Sequence, residues 1–193
     1  MNSKPTVLVL PGWHGSDAAH WQSRWEAVYG DRRVEQHDWI RPLRGDWSAR
    51  LEEEVLAAPT PVVLVAHSLG CILVAAWAAH SRHTAKVRAA FLVAPGDLER
   101  DDLRQMIPGW APIVRQRLPF PSLLVAAGND PYCDAARSRA MAADWGARFV
   151  DADAADAADA SGLGGAGGHL NGESGLGDWP AGRALLNELL TEK

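Results

Sequence analysis

The chain has 193 residues, two cysteines, nine tryptophans and a formal net charge of −5. At 47% hydrophobic and 22% charged, it has the composition of a globular protein whose core buries roughly 70% of the unfolded surface, which excludes a disordered chain and a disulfide-built miniature. No apolar run approaches the ~20 residues of a membrane span, and a mildly acidic balance gives no electrostatic case for nucleic acid. The expectation is a cytoplasmic domain over residues 1–193 with neither a membrane nor a nucleic-acid partner, the apolar stretch 6–10 being too short for a secretory signal. Cys71 and Cys133 have no CxxC or Cys/His spacing and read as two reduced thiols.

The first element, Thr6-Val7-Leu8-Val9-Leu10, is a continuous apolar run halted by Pro11-Gly12 and reads as a buried strand. Ser16 or Asp17 can cap a helix carrying Trp21 and Trp25, and Val34 to His37 is a weaker strand. Asp46 or Ser48 can cap a second helix, through Leu51, Val55 and Leu56, which ends before Pro59-Thr60-Pro61. Three further apolar strands follow at 62–66, 90–94 and 123–127, the first of them leading into an apolar helix from Cys71 to Ala79. Asp134 can cap a helix that runs to Trp145 and stops at Gly146. After it come a weak strand at 148–150 and a last helix begun by Trp179-Pro180 with Asp178 as its cap.

Strands apolar on both faces need helices on both sides, and parallel neighbours need helical crossovers. The reading is an α/β protein, a three-layer α/β/α sandwich around a mostly parallel sheet of about six strands. In such sheets, sites form beyond the carboxyl ends of the strands. One segment breaks the alternation: residues 151–160 are only Asp and Ala, and 161–168 are mostly Gly. The stretch 151–168 reads as an exposed loop. A calcium loop starting at Asp151 would need an oxygen ligand at 155 and a Glu at 162, where the chain has Ala and Gly, so no metal is expected.

Ala66-His67-Ser68-Leu69-Gly70 stands between a Val-rich strand and an uninterrupted helix. Small residues two before and two after a serine allow a turn so tight that strand and helix backbones nearly touch, which lifts the hydroxyl over the sheet at a helix N-terminus. Ser68 is therefore the candidate nucleophile. A serine needs a base and an acid to orient that base, and this arrangement sets the chain order Ser, Asp or Glu, His. Asp130 follows the 123–127 strand and is the favoured acid, with Asp97, after the preceding strand, its rival. His169 is the only histidine after Asp130, whereas His80 and His83 lie at the end of the helix after Ser68.

Pro11-Gly12-Trp13-His14-Gly15 follows the first strand, where hydrolases of this layout present a second oxyanion donor. The N–H groups of Leu69 and Trp13 are the candidate donors, and Gly12, His14 and His67 are placed to line the substrate pocket. Residues 97–119, with Met106, Ile107, Trp110 and Ile113, read as a short lid, so Trp110 joins Trp13 as an expected substrate contact. No G-x-G-x-x-G follows the first strand and no metal-ligand motif occurs, so no cofactor is expected. The apolar lid suggests a small-molecule substrate with a short or medium acyl group.

Four groups of residues carry a resemblance over nearly the whole chain. They are Leu10-Pro11-Gly12-Trp13 with His20-Trp21-Gln22; His67-Ser68-Leu69-Gly70-Cys71; Asn129-Asp130-Pro131-Tyr132; and Gly168-His169-x-Asn171 with Ser174-Gly175-x-Gly177-x-Trp179-Pro180. Together they resemble the small serine hydrolases related to retinoblastoma-binding protein nine and the bacterial YdeN-type esterases. The resemblance implies an α/β-hydrolase fold without a large cap domain, a Ser68–Asp130–His169 triad and esterase-like activity. Such a triad also serves amidases and peptidases, and a partner-binding protein with a vestigial site is the alternative of another class. The chain departs from the family in the tract before His169, which is expected to affect the rate more than the fold because long loops cost little closure entropy.

Overall fold

The computed structural model describes residues 4–153 and 167–191, so most of the expected Asp/Ala and Gly loop, residues 154–166, lies outside the described residues. Six strands, β1 (Thr6–Leu10), β2 (Arg32–Arg33), β3 (Val62–His67), β4 (Val87–Val93), β5 (Ser122–Ala126) and β6 (Arg148–Asp151), form one sheet in the order β2-β1-β3-β4-β5-β6. Every neighbouring pair is parallel. All six residues of β3 are buried, as its central position and unbroken apolar sequence require. The edge strand differs from expectation: only Arg32 and Arg33 pair with β1, and Val34 then donates its N–H to the Val9 carbonyl at 2.9 Å.

Among the described residues six α-helices accompany the sheet: α1 (Trp21–Tyr29), α2 (Arg44–Ala57), α3 (Leu69–Ala78), α4 (Asp101–Met106), α5 (Ala135–Trp145) and α6 (Pro180–Thr191). Side chains alternate across each strand, and the core divides accordingly. Val63 and Val65 pack with Trp21 and Trp25 of α1 and Leu186 of α6 on one face. Leu64 and Ala66 pack with Leu51 of α2, Leu73 of α3 and Met141 of α5 on the other. The result is the three-layer sandwich expected from the sequence, a small α/β-hydrolase fold. No helix among the described residues is long and apolar enough to cross a membrane.

Helix starts depart from the expected caps. Neither Ser16 nor Asp17 caps α1; His20 does, its Nδ1 accepting the Gln22 N–H at 3.1 Å. The second helix begins at Arg44, before Asp46 and Ser48, behind Leu43, which offers no capping side chain. Asp134 precedes α5 as expected but makes no side-chain cap bond, while Gly146 ends that helix in the left-handed conformation at φ 67°. At α6 the Trp179 carbonyl, rather than Asp178, accepts the first helical N–H, from Arg183.

Tryptophans fill the space between layers. Trp21, Trp25 and Trp179 form a triangle under α1 and α6 with ring centroids 4.9 to 6.1 Å apart. Gly182 is required there, because a Cβ at that position would overlap the Trp179 indole. On the opposite face Trp39, Trp47 and Trp110 pack edge to face at 5.3 and 5.5 Å. Trp77 and Trp145 anchor their indole N–H groups on the Glu52 carboxylate and the Val114 carbonyl.

Candidate active site

Ser68 connects β3 to α3 at φ 54° and ψ −120°, a conformation costly for a residue with a Cβ. Close packing of two glycines holds it there. A Cβ on Gly70 would collide with the Leu10 carbonyl oxygen, and one on Gly12 would come within 2.7 Å of the Ser68 Cβ. The Ser68 side chain makes no cap bond to its own helix. Its Oγ lies instead 2.8 Å from Nε2 of His169.

On the far side of that imidazole, Nδ1 faces both Asp130 carboxylate oxygens, at 2.8 and 3.0 Å. Asp130 stands just beyond the end of β5 and also accepts the Tyr132 N–H at 2.8 Å, which orients it. The rival Asp97 is not in this chain of bonds. Its carboxylate accepts the Glu99 N–H and lies 3.2 Å from Nε of Arg137.

The segment carrying His169 is fixed by residues far away in sequence. The Asn129 side-chain oxygen accepts the Gly168 N–H at 2.5 Å, and the Trp21 indole donates to the Leu170 carbonyl at 2.8 Å. His67 Nε2 is 2.8 Å from the His169 carbonyl oxygen. Ser174 Oγ donates to the Gly167 carbonyl at 3.0 Å, closing the turn from the following 3-10 segment.

Ser68 opens into a cleft of about 480 Å³, whose lining includes the expected Gly12, Trp13, His14, His67 and Leu69. The Trp13 indole donates to the Ile40 carbonyl and the His14 N–H to the Trp39 carbonyl, which braces this loop against the segment before α2. Among the described residues the backbone N–H groups of Trp13 and Leu69 have no protein acceptor. One wall is apolar, built from Leu98, Leu103, Met106 and Ile107 of the expected lid. Glu99 fastens this segment, accepting the Ile113 N–H and pairing with Arg115 at 2.6 Å and Arg137 at 2.5 Å.

Trp110 is a correction. It is fully buried, donates its indole N–H to the Pro42 carbonyl at 2.9 Å and is absent from the cleft wall. Leu98, Leu103 and Ile107 of the expected lid reach both the cleft wall and the core, whereas Trp110 and Ile113 pack in the core alone. Sequence reasoning also missed His20, Tyr132 and Asn171, which line the cleft. All three belong to the resemblance motifs, and that was the available signal.

Burial governs the titratable groups here. It lowers the His20 pKa to about 4 and pushes His67 well below the ordinary imidazole value, with the neighbouring His169 contributing to both. Both rings are neutral at pH 7. Both thiols are free and buried; burial raises Cys133 to about 11 and also raises Cys71, so neither supplies a thiolate. Among the described residues no group of three or more His, Cys, Asp or Glu side chains is arranged to hold a metal ion.

A family model described as serine hydrolase matches residues 7–188. The chain belongs to the serine hydrolase family. A structure described as a YdeN-like hydrolase from Pectobacterium atrosepticum is 28% identical, with a TM-score of 0.78 over 97% of this chain and 91% of that one. The ydeN gene product of B. subtilis is 16% identical, with a TM-score of 0.70 over 98% and 100%. Est1E from Butyrivibrio proteoclasticus, solved with ferulic acid bound, shares the fold at 13% identity and a TM-score of 0.66 over 100% and 92%. A comparison with curated protein sequences gives no significant match.

Proposed function

We propose that this serine hydrolase is an esterase that cleaves small carboxylic esters with Ser68 as nucleophile, His169 as general base and acid, and Asp130 as the group that orients the imidazole. The observation that carries the reading is the unbroken relay from Ser68 Oγ through His169 to Asp130, with 2.8 Å on either side of the ring. Membership of the serine hydrolase family supports it.

Ser68 Oγ attacks the ester carbonyl carbon while its proton passes to His169 Nε2. Asp130 accepts the Nδ1–H and stabilises the imidazolium without taking the proton. The carbonyl oxygen becomes an oxyanion, for which the N–H groups of Leu69 and Trp13 are the donors; each such donor is worth about 2.7–4 kcal/mol in the transition state. Collapse of the tetrahedral intermediate breaks the bond to the alcohol, which leaves with the proton from His169. Water, deprotonated by the same imidazole, then attacks the acyl-enzyme, releasing the acid and restoring the Ser68 hydroxyl. No step uses a cofactor. The apolar wall of Leu98, Leu103, Met106 and Ile107 suits a short or medium acyl group. Gly12 and His14 extend the cleft beside the attacked carbonyl. Covalent labelling of Ser68 by a fluorophosphonate tests the reading, which folded protein that stays unlabelled would overturn.

A further inference from the structure

We propose that His67 is a positioning residue for the reaction, tying the backbone of the general base to the strand that carries the nucleophile and so setting the Ser68–His169 spacing. This rests on the reading of Ser68, Asp130 and His169 as the triad. His67 is the last residue of β3, is 4% exposed, and its Nε2 lies 2.8 Å from the His169 carbonyl oxygen. Consecutive residues of one rigid strand end therefore grip the same histidine at two points, His67 on its carbonyl and Ser68 on its ring. Asp130 holds the remaining ring nitrogen.

The base needs this help because it comes from a loop and not from the sheet. Trp21 and Asn129 fix the flanking residues Leu170 and Gly168. Among the described residues, His67 alone makes a side-chain hydrogen bond to the backbone of His169 itself. A carbonyl only accepts, so His67 carries its hydrogen on Nε2. Burial keeps the ring neutral, which matters chemically. The two ring centroids are 4.8 Å apart, and a second cation there would oppose the imidazolium that forms on His169.

Three variants and one spectrum test the proposal. His67→Leu fills the space without a donor, His67→Asn keeps an amide too short to reach the carbonyl, and His67→Gln restores a neutral donor of suitable length. With a p-nitrophenyl ester, His67→Leu and His67→Asn should lose about 10- to 100-fold in kcat with little change in KM, and His67→Gln should recover most of that loss. Leu and Asn variants that stay folded and turn over at the wild-type kcat would overturn the proposal, as would a folded Gln variant as slow as the Leu variant. If the Leu variant does not fold, the Asn and Gln pair decides. In the wild-type protein, ¹⁵N-resolved imidazole spectra should show His67 protonated at Nε2 with slow exchange, and an Nδ1 tautomer would overturn the proposal without any substitution. Ser68→Ala separates the two levels: turnover surviving in Ser68→Ala sinks the triad reading, whereas turnover lost there but unaffected in the His67 variants sinks only the positioning role.

Discussion

His20 makes a quantitative prediction for stability against pH. The ring is 4% exposed, its Nδ1 is occupied by the Gln22 N–H, and burial lowers its pKa from 6.5 to about 4. The unfolded chain therefore binds a proton at His20 before the folded protein does. The stability contributed by keeping this ring neutral is complete above pH 6.5 and is lost progressively as pH falls toward 4. At pH 5 the loss is about 2 kcal/mol, a large part of the 5–15 kcal/mol typical of a domain. His67, also pushed below its ordinary value by burial, adds in the same direction, while the raised carboxyl pKa of Asp31 opposes both at the acid end. Urea unfolding with a slope of about 2 kcal/mol/M should show the midpoint falling by about 1 M between pH 7 and pH 5 from His20 alone. His20→Asn keeps a capping acceptor and removes the titration, so its midpoint should depend on pH correspondingly less. A wild-type midpoint that does not move, or an Asn variant with an unaltered pH dependence, would show that burial does not hold His20 neutral in the folded state.

Trp110→Ala should destabilise the fold by about 3–5 kcal/mol and leave KM for small esters unchanged in the folded fraction. A raised KM at unaltered stability would return Trp110 to the substrate site. Asp130→Asn should lower kcat by about 10⁴-fold, the scale seen when a serine protease loses this carboxylate, while Asp97→Asn should stay within a few-fold because its carboxylate serves Arg137 and the Glu99 N–H. The opposite ranking in ester turnover would move the acid to Asp97.

The layered fold was legible because residues 62–66 and 90–94 are apolar on both faces, a pattern that only a covered parallel sheet satisfies. The edge strand was not. Its two paired residues are arginines, and Val34, the residue that attracts attention, lies just beyond them. Local chemistry also identified the serine turn, because Ala66 and Gly70 flank Ser68 at the spacing that a close strand–helix approach demands. Gly12 belongs to the same packing, yet its contact with Ser68 crosses more than fifty residues and leaves no periodic trace.

Two misreadings and one omission have physical causes. His20 caps α1 with an imidazole nitrogen, where a short oxygen side chain was expected. Trp110 was assigned to the cleft because apolar lid residues look alike in sequence whichever way they face. His67 lines the cleft as expected, but its bond to the His169 carbonyl, which joins residues 102 apart, was not foreseen. Cross-chain contacts of that kind are visible only once the sheet has set which loops meet.

Covalent labelling reports whether Ser68 is an activated nucleophile. Wild-type protein incubated with an alkyl fluorophosphonate should gain the mass of one phosphonyl group, mapped to the peptide containing Ser68, and should lose ester turnover in parallel. Ser68→Ala should gain none. Folded wild-type protein that stays unlabelled would contradict the account and favour a partner-binding protein with a vestigial site, and label that persists in Ser68→Ala would move the nucleophile to another residue.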